Sequence, residues 1–268
     1  MLYAGNAAPW ALDPDVVLWA GAVMSNGGTV SSGRAALVSA LVTEMKSGGS
    51  WQRTDDCWIW TKEAGAADVQ ALTSLKQRRL ATAVNSPTID DGGLLSDGST
   101  SYVDLNFSPG SHAVAMTGTD MRLAVYERTN LGQSSYAAGV ADSGISSLRM
   151  IPRSSSDSLR GSLNSASSDW VAGVADGRGL LVMSRSAAGI FEAFGRGVSL
   201  GTTTPSPTGT TLPVRTLCAA AQNSVGTIAG FRAAAQGCLS VGASLTAAQE
   251  LAEYNAWQRF FTAIGKAV

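Results

Sequence analysis

Residues 94–110, LLSDGSTSYVDLNFSPG, join a tight turn to a short alternating strand. Asp97-Gly98 is a typical turn pair, because glycine adopts backbone conformations that other residues avoid. Between Tyr102 and Phe107 apolar and polar residues alternate, which is the pattern of a strand with one buried face. The stretch therefore predicts the first strand of a β-sandwich and marks where the strand-rich part of the chain begins.

The same stretch carries oxygen atoms that could bind a calcium ion. Asp97, Asp104 and Asn106 supply carboxylate and amide oxygens, the ligands that Ca²⁺ prefers. The acids do not recur at regular alternating positions, so we expect a turn and an edge strand here and no metal. A calcium site at these three residues is the alternative.

Residues 86–245 contain many short strand-like runs separated by serine, glycine, threonine and proline. Such spacing favours an antiparallel sandwich over a parallel α/β sheet. The predicted strands lie within SYVDLNF (101–107), MRLAVYERT (121–129), SSYAAGVA (134–141), SSLRMIP (146–152), LRGSLN (159–164), GLLVMSRS (179–186), GIFEAFGRGVSLG (189–201), VRTLCAAAQ (214–222) and TIAGFRAAAQGCLSVGASL (227–245).

Residues 1–85 have a helical pattern instead. Asp13 before Pro14 is a typical helix start, and Ser31 opens a second apolar-periodic run that ends near Gly48. Residues 54–64 and 66–81 are predicted as a third and a fourth short helix. We therefore expect a small helical anchoring or docking domain at 1–85 and a sandwich at 86–268.

Five of the seven tryptophans fall in this N-terminal part. One interpretation makes them the core of a small helical bundle, and the other makes them a docking face for another protein. The residues concerned are Trp10, Trp19, Trp51, Trp58 and Trp60.

The chain ends in an amphipathic helix. Thr246 followed by Gln249 is a capping box, and Gly265 is a typical helix end. The predicted apolar face, which we expect to pack on the sandwich or the bundle, consists of Leu251, Tyr254, Trp257, Phe261 and Ile264.

Composition excludes several classes of partner. Lys and Arg number 19 and Asp and Glu 20, so there is no basic surface for nucleic acid or an anionic membrane. No apolar run reaches the length of a membrane span, and the N-terminus lacks the pattern of a signal peptide. We expect neither nucleic-acid binding nor membrane insertion.

Catalytic and metal-binding motifs are scarce. Cys57, Cys218 and Cys238 are predicted to be buried free thiols, and His112 is the single histidine, so a Cys/His zinc site is not expected. Glu127 and Glu192 stand apart from other acids, unlike the paired carboxylates of glycosidases. We expect no cofactor, no catalytic residue and no enzymatic activity.

Three segments resemble concanavalin A-like, laminin G-like domains. LLSDGSTSYVDLNFSP is similar to their opening strand, GLLVMSRSAAGIFEAFGRGVSLG (179–201) to their central hairpin, and residues 228–265 to their last strand and closing helix. The resemblance implies a mainly β fold: a concanavalin A-like antiparallel β-sandwich, or jelly roll, with a small N-terminal helical domain and a C-terminal amphipathic helix. At 194–197, Phe-Gly-Arg-Gly replaces the acidic hairpin pattern of the family, which weakens a sugar- or calcium-binding role there.

The layout as a whole resembles a class of tailed-bacteriophage virion proteins. In that class a helical preface, here residues 13–51, runs through RRLATAVNSPTID (78–90) into such a sandwich. The resemblance implies a tail, fibre or head-decoration protein, located in the virion and assembled in the host cytoplasm. Its implied partners are other virion proteins, further copies of itself and host-surface glycans.

Three functions therefore stand at this point. The main hypothesis is a structural virion protein that displays a lectin-like sandwich. The alternatives are a carbohydrate-binding module and, third, a polysaccharide-degrading enzyme. Exposed aromatic side chains would carry sugar binding, and the candidates in the strand-rich part of the chain are Tyr102, Tyr126, Tyr136, Trp170 and Phe194.

Overall fold

The computed structural model describes residues 12–165, 169–204 and 208–268, and for residues 169–172 it describes the backbone alone. Within these residues two β-sheets pack face to face, and helices cover the outer face of one of them. The predicted fold class, a mainly β jelly-roll sandwich with a C-terminal helix, is confirmed.

The helices are few, and three of them pack together. The described helices are α1 (Pro14–Ser25), α2 (Ser32–Ser47), α3 (Val69–Leu72), α4 (Pro109–His112) and α5 (Ala247–Ala263). Among the described helices, none combines the length and the apolar character needed to cross a lipid bilayer.

The first sheet contains eight described strands. Across the sheet their order is β13 (Val198–Thr203), β12 (Ile190–Gly195), β11 (Gly179–Ala187), β6 (Met121–Glu127), β17 (Gln236–Gly242), β4 (Gly93–Leu95) and β3 (Thr88–Asp90), and β1 (Thr54–Ile59) also pairs with β17.

The second sheet contains nine described strands. Their order is β10 (Asp169–Ala172), β9 (Ser158–Leu163), β8 (Ser146–Ile151), β7 (Ala138–Ser143), β14 (Cys218–Ala219), β5 (Tyr102–Asp104) and β2 (Thr82–Val84), and β15 (Gln222–Ser224) joins β7 to β16 (Thr227–Ala229).

Side-chain alternation divides the interior into two cores. Along β6, Leu123 and Val125 point between the sheets, whereas Ala124 and Tyr126 point toward the helices. The first sheet is therefore buried on both faces. Because α1, α2 and α5 all pack on the first sheet, none of them covers the outer face of the second sheet.

The local helix signals are confirmed. Asp13 caps α1 by accepting a hydrogen bond from the Asp15 N–H, and Ser31 caps α2 by accepting from the Arg34 N–H. Thr246 and Gln249 form the predicted capping box of α5. Each of these patterns involves residues within one turn of each other, so it can be read from a short stretch of sequence.

The prediction of helices at 54–64 and 66–81 is wrong for most of their length. Residues 54–59 form β1, which pairs antiparallel with β17 along Cys57↔Ser240 and Trp58↔Leu239. Only Val69–Leu72 is helical in the second segment. The run at 54–59 is buried on both faces, and such a strand has no alternation that would separate it from a buried helix. The division into domains at residue 85 stays a prediction.

The tryptophans of the N-terminal part are interior side chains. Trp58 and Trp60 lie in the core between the sheets, and Trp19 and Trp51 lie in the core under the helices. All four are at most 5% exposed, so they offer no docking face in this conformation. Trp10 lies outside the described residues.

Helix α5 buries a different face from the predicted one. Trp257 and Phe261 are buried as expected, but Leu251 is 44% exposed and Glu250 and Glu253 are fully buried. The two acids face Arg122 on β6, and this ion cluster sets the rotation of the helix.

Candidate functional site

The predicted ligand-binding aromatics are divided between the two sheets. Tyr126 and Phe194 are buried beneath the helices, where the Tyr126 ring packs 4.2 Å from the Phe261 ring. They cannot reach a ligand in this conformation. Tyr102 lies on β5 of the second sheet, and Tyr136 lies in the loop just before β7. Both side chains are half-buried. The side chain of Trp170 lies outside the described part, although its backbone pairs with Arg160.

Tyr102 and Tyr136 meet around the segment Gly230-Phe231. The Tyr102 and Phe231 ring centroids are 6.2 Å apart, and the Tyr136 N–H donates to the Gly230 carbonyl at 2.9 Å. Gly230 has a φ of +64°, and a Cβ there would lie only 2.6 Å from Cδ2 of Tyr136. The glycine is therefore required both for the turn and for the close approach of the ring.

Arg149 lies beside these rings on the outer face of β8. Its neighbours Leu148 and Met150 point into the core, so the arginine points outward. The guanidinium is 5.7 Å from the centroid of the Tyr136 ring, within the range of a cation–π contact. Its Nε donates to the Ser162 hydroxyl at 2.7 Å.

A glycine on the next strand makes room for a second partner of Arg149. A Cβ at Gly139 would lie 2.9 Å from Cβ of Gln222 and 3.2 Å from Cβ of Arg149. Without that atom, Nη1 of Arg149 approaches Oε1 of buried Gln222 at 3.5 Å. Ser162 and Gln222 thus hold the guanidinium from below. We call the half-buried set Tyr102, Tyr136, Arg149 and Phe231 the open-face site.

The loop that leads into Tyr136 is held by a buried ion pair. Nη2 of Arg232 donates to Oε2 of Glu127 at 2.7 Å, and both side chains are fully buried. The same guanidinium donates to the carbonyls of Leu131, Gln133 and Ser135. Burial raises the pKa of Glu127, and the guanidinium opposes that rise. Glu127 is thus a structural anchor of this loop.

The residues of the alternative calcium site are engaged in hydrogen bonds within the protein. Oδ1 of Asp97 accepts from the N–H groups of Ser99, Thr100 and Ser101, and these bonds hold the pKa of Asp97 far below its usual range. Asp104 accepts from the Thr216 hydroxyl, and Asn106 donates to the Leu80 carbonyl. In the described part of the chain, no three His, Cys, Asp or Glu side chains form a group able to hold a metal.

The remaining nucleophile and base candidates have structural roles. Nδ1 of His112 accepts from the Ser108 N–H at 2.8 Å, and burial together with Arg79 lowers its pKa. The three cysteines are buried and free, and burial raises the pKa of each thiol. Glu192 accepts from the Ser199 hydroxyl at 2.6 Å.

Two members of the open-face site were absent from the sequence-based candidates. Arg149 and Phe231 lie in ordinary strand and loop contexts, and nothing near them in sequence marks them. The alternation of side chains along β8 is the one sequence pattern that indicates Arg149, because Leu148 and Met150 on either side of it point into the core. Its partners Ser162 on β9 and Gln222 on β15 are brought to it by the order of the strands in the sheet, and the local sequence pattern does not predict that order.

No protein-family model and no curated protein sequence matches the chain. Among solved structures, it is similar to a mutant of Trypanosoma rangeli sialidase displaying trans-sialidase activity, with a TM-score of 0.53 and 12% identity over 85% of this chain and 40% of that one. It is also similar to domain 4 of AbnA, a GH43 extracellular arabinanase from Geobacillus stearothermophilus in complex with arabinotriose, with a TM-score of 0.44 and 14% identity over 75% of this chain and 98% of that one. A third is the SAP-like pentraxin from Limulus polyphemus, with a TM-score of 0.38 and 13% identity over 52% of this chain and 71% of that one.

At such low identity the similarity to these structures concerns the fold alone. The chain spans 40% of the sialidase's length. The expectation that the chain has no enzymatic activity is wrong, because its fold does not exclude an enzyme. The similarity to the sialidase shows that a sandwich of this fold also occurs in an enzyme. The scarcity of sequence motifs therefore gives no ground for excluding an enzyme.

Proposed function

We propose that this sandwich binds carbohydrate through the open-face site. The observation that carries the proposal is the Tyr136 ring with the Arg149 guanidinium 5.7 Å from its centroid, on a sheet face that the helices do not cover. Aromatic rings offer flat apolar surfaces to the C–H face of a sugar, and a fixed guanidinium offers donors to its hydroxyls. The arabinotriose bound to the arabinanase domain is consistent with this proposal.

The position of the site suits an extended ligand. Tyr102 and Phe231 form a second aromatic pair, and Phe231 follows Gly230, whose carbonyl accepts from the Tyr136 N–H, so we expect contacts with more than one sugar ring. The site is shallow, and its side chains are half-buried. Such a surface favours oligosaccharides over single sugars, because a larger contact area offsets the cost of immobilising the ligand.

The test is a glycan array followed by isothermal titration calorimetry with the best oligosaccharide. We expect Tyr136→Ala to weaken binding about tenfold or more, a loss of about 1.4 kcal/mol, because the ring is the centre of the site. The matched control is Arg259→Gln on α5, which removes an exposed ion pair with Glu44 in the opposite layer. Equal affinity of the Tyr136→Ala variant and the wild type would overturn the proposal. Product analysis of the bound oligosaccharide tests cleavage at the same time.

We further propose that the chain is a structural virion protein of a tailed bacteriophage. The support is the resemblance of the helical preface and the sandwich to that class of virion proteins. In this role the helical layer contacts other virion proteins or further copies of the chain, and the open sheet displays its binding site to host-surface glycans. The virion, assembled in the host cytoplasm, is the proposed location.

Association with virions tests this wider role. We expect purified chain to form oligomers by analytical ultracentrifugation and to co-sediment with virions or virion subcomplexes. A chain that stays monomeric and fails to co-sediment would remove the virion proposal and leave carbohydrate binding standing.

A further inference from the structure

Two arginines lie next to each other on the outer face of the second sheet, which the helices do not cover. In the register of β8 and β9, Arg149 pairs with Ser162, and Ile151 pairs with Arg160. Leu159 points into the core, so Arg160 points outward, as Arg149 does. The two arginines are therefore diagonal neighbours on one face, with their Cβ atoms about 7 Å apart.

Neither arginine has a carboxylate partner among the side chains that the structure describes. Arg149 is held by Ser162, Gln222 and the Tyr136 ring, all of them neutral. Nε of Arg160 is buried with no hydrogen-bond partner. By contrast, three exposed arginines form ion pairs with acids: Arg178 with Asp176, Arg215 with Asp142 and Arg259 with Glu44.

Two described acids of the second sheet are engaged elsewhere. Asp104 on β5 accepts from the Thr216 hydroxyl, and Asp142 at the end of β7 pairs with Arg215 at 3.1 Å. Two guanidinium groups without a carboxylate partner thus lie on one face of the sheet, and that of Arg149 lies beside the Tyr136 ring. A partly buried cation without a counter-charge attracts an anionic ligand, and the planar fork of arginine binds carboxylate and sulfate groups with two parallel hydrogen bonds.

We infer that the open-face site takes an anionic saccharide, with Arg149 and Arg160 binding a carboxylate or sulfate group while Tyr136 contacts the sugar ring. The inference rests on the proposed carbohydrate binding and adds the charge class of the ligand. Arg149 is fixed by Ser162 and Gln222, so its guanidinium is pre-oriented for the ligand.

The experiment compares matched ligands by titration calorimetry on the whole chain. The three ligands are a galacturonic acid hexasaccharide, its carboxyl-reduced neutral form and a sulfated hexasaccharide of the reduced form. At low salt we expect an acidic ligand to bind at least about tenfold tighter than the neutral one, and we expect 0.5 M salt to shrink that ratio. The two acidic ligands decide between carboxylate and sulfate.

Variants locate the effect. Arg160→Gln is expected to reduce the acidic-to-neutral ratio at least about threefold, and Arg259→Gln, on the opposite layer, is expected to leave it unchanged. Circular dichroism melting checks that both variants fold. If Arg160→Gln does not fold, the comparison of acidic and neutral ligands at low and high salt on the wild type still tests the inference. Equal binding of acidic and neutral ligands, or an unchanged ratio in folded Arg160→Gln, would overturn the inference alone. Absence of binding to every glycan of the array would instead overturn the proposed function.

Discussion

Arg122 on β6 donates from Nε and Nη2 to the two carboxylate oxygens of Glu250 on α5, each at 2.8 Å, in the layer between the first sheet and the helix. Both side chains are at most 2% exposed, and Nη1 of Arg122 also lies 3.2 Å from Glu253. A fixed, bidentate ion cluster of this kind specifies one rotation of α5 on the sheet. Burial raises the pKa of Glu250 against the opposing effect of Arg122.

Breaking this cluster should cost much stability. We expect Arg122→Gln to lower the free energy of unfolding by about 3–5 kcal/mol, because two buried carboxylates lose their cation. Urea denaturation measures the change. The control is Glu44→Gln, which removes the exposed ion pair with Arg259 and should cost less than about 1 kcal/mol. Similar losses in the two variants would contradict this role for the buried cluster.

Asp56 should make stability depend on pH in the acidic range. Burial raises its pKa from 3.8 to about 6, although the N–H groups of Cys57, Lys76 and Gln77 donate to its carboxylate. The folded state therefore holds this proton more tightly than the unfolded chain. The contribution of Asp56 is greatest below pH 3.8 and is lost as the pH rises through 6, by about 3 kcal/mol in all.

The measurement is urea denaturation of the wild type and of Asp56→Asn at pH 4, 5, 6 and 7. We expect the difference in unfolding free energy between them to shift in favour of the variant as the pH rises through this range. The asparagine keeps one oxygen acceptor but carries no charge. A difference that is constant from pH 4 to 7 would show that Asp56 does not titrate there.

Gly230 should be required for both folding and binding. Gly230→Ala places a Cβ against the Tyr136 ring at a backbone φ of +64°, which favours glycine. We expect a loss of about 1–3 kcal/mol in stability together with weaker oligosaccharide binding. Thermal denaturation and calorimetry report the two effects. Gly144→Ala, where a Cβ meets nothing within 4 Å, is the control. Unchanged oligosaccharide binding in Gly230→Ala would contradict the claim that binding depends on the position of the Tyr136 ring.

Arg232 should control the order of the loop before Tyr136. In Arg232→Met the carbonyls of Leu131, Gln133 and Ser135 lose their shared donor, and Glu127 stays buried without a cation. We expect amide hydrogen exchange to rise at least about tenfold at residues 129–136 and less in β8. Arg178→Met, at an exposed ion pair with Asp176, provides the comparison. Unchanged exchange in the loop would contradict the anchoring role.

Much of the sandwich could be predicted from the chain itself. Strand runs such as MRLAVYERT and GLLVMSRS fall at β6 and β11, because apolar β-formers between turn residues leave few alternatives. Residues 54–59 show the limit of this reasoning. Their neighbours in sequence allow helix or strand, and the pairing with β17, nearly two hundred residues further on, makes them a strand.

The candidate site shows the same limit more strongly. Tyr102 and Tyr136 could be selected as aromatics in predicted strands, but Tyr126 and Phe194 fit that criterion equally well and are buried beneath helices. What separates them is which sheet the helices cover, and that depends on packing between distant elements.

The amino-acid sequence by itself determined the local features: the caps at Asp13, Ser31 and Thr246, and most of the strands. These depend on hydrogen bonds and side-chain periodicity within a few residues. Only the tertiary structure decided that Arg149 meets Tyr136 and Gln222, and that Glu250 is buried against Arg122. Those contacts join strands and helices far apart in the chain, and their energies come from burial and charge pairing that exist only after the layers have packed.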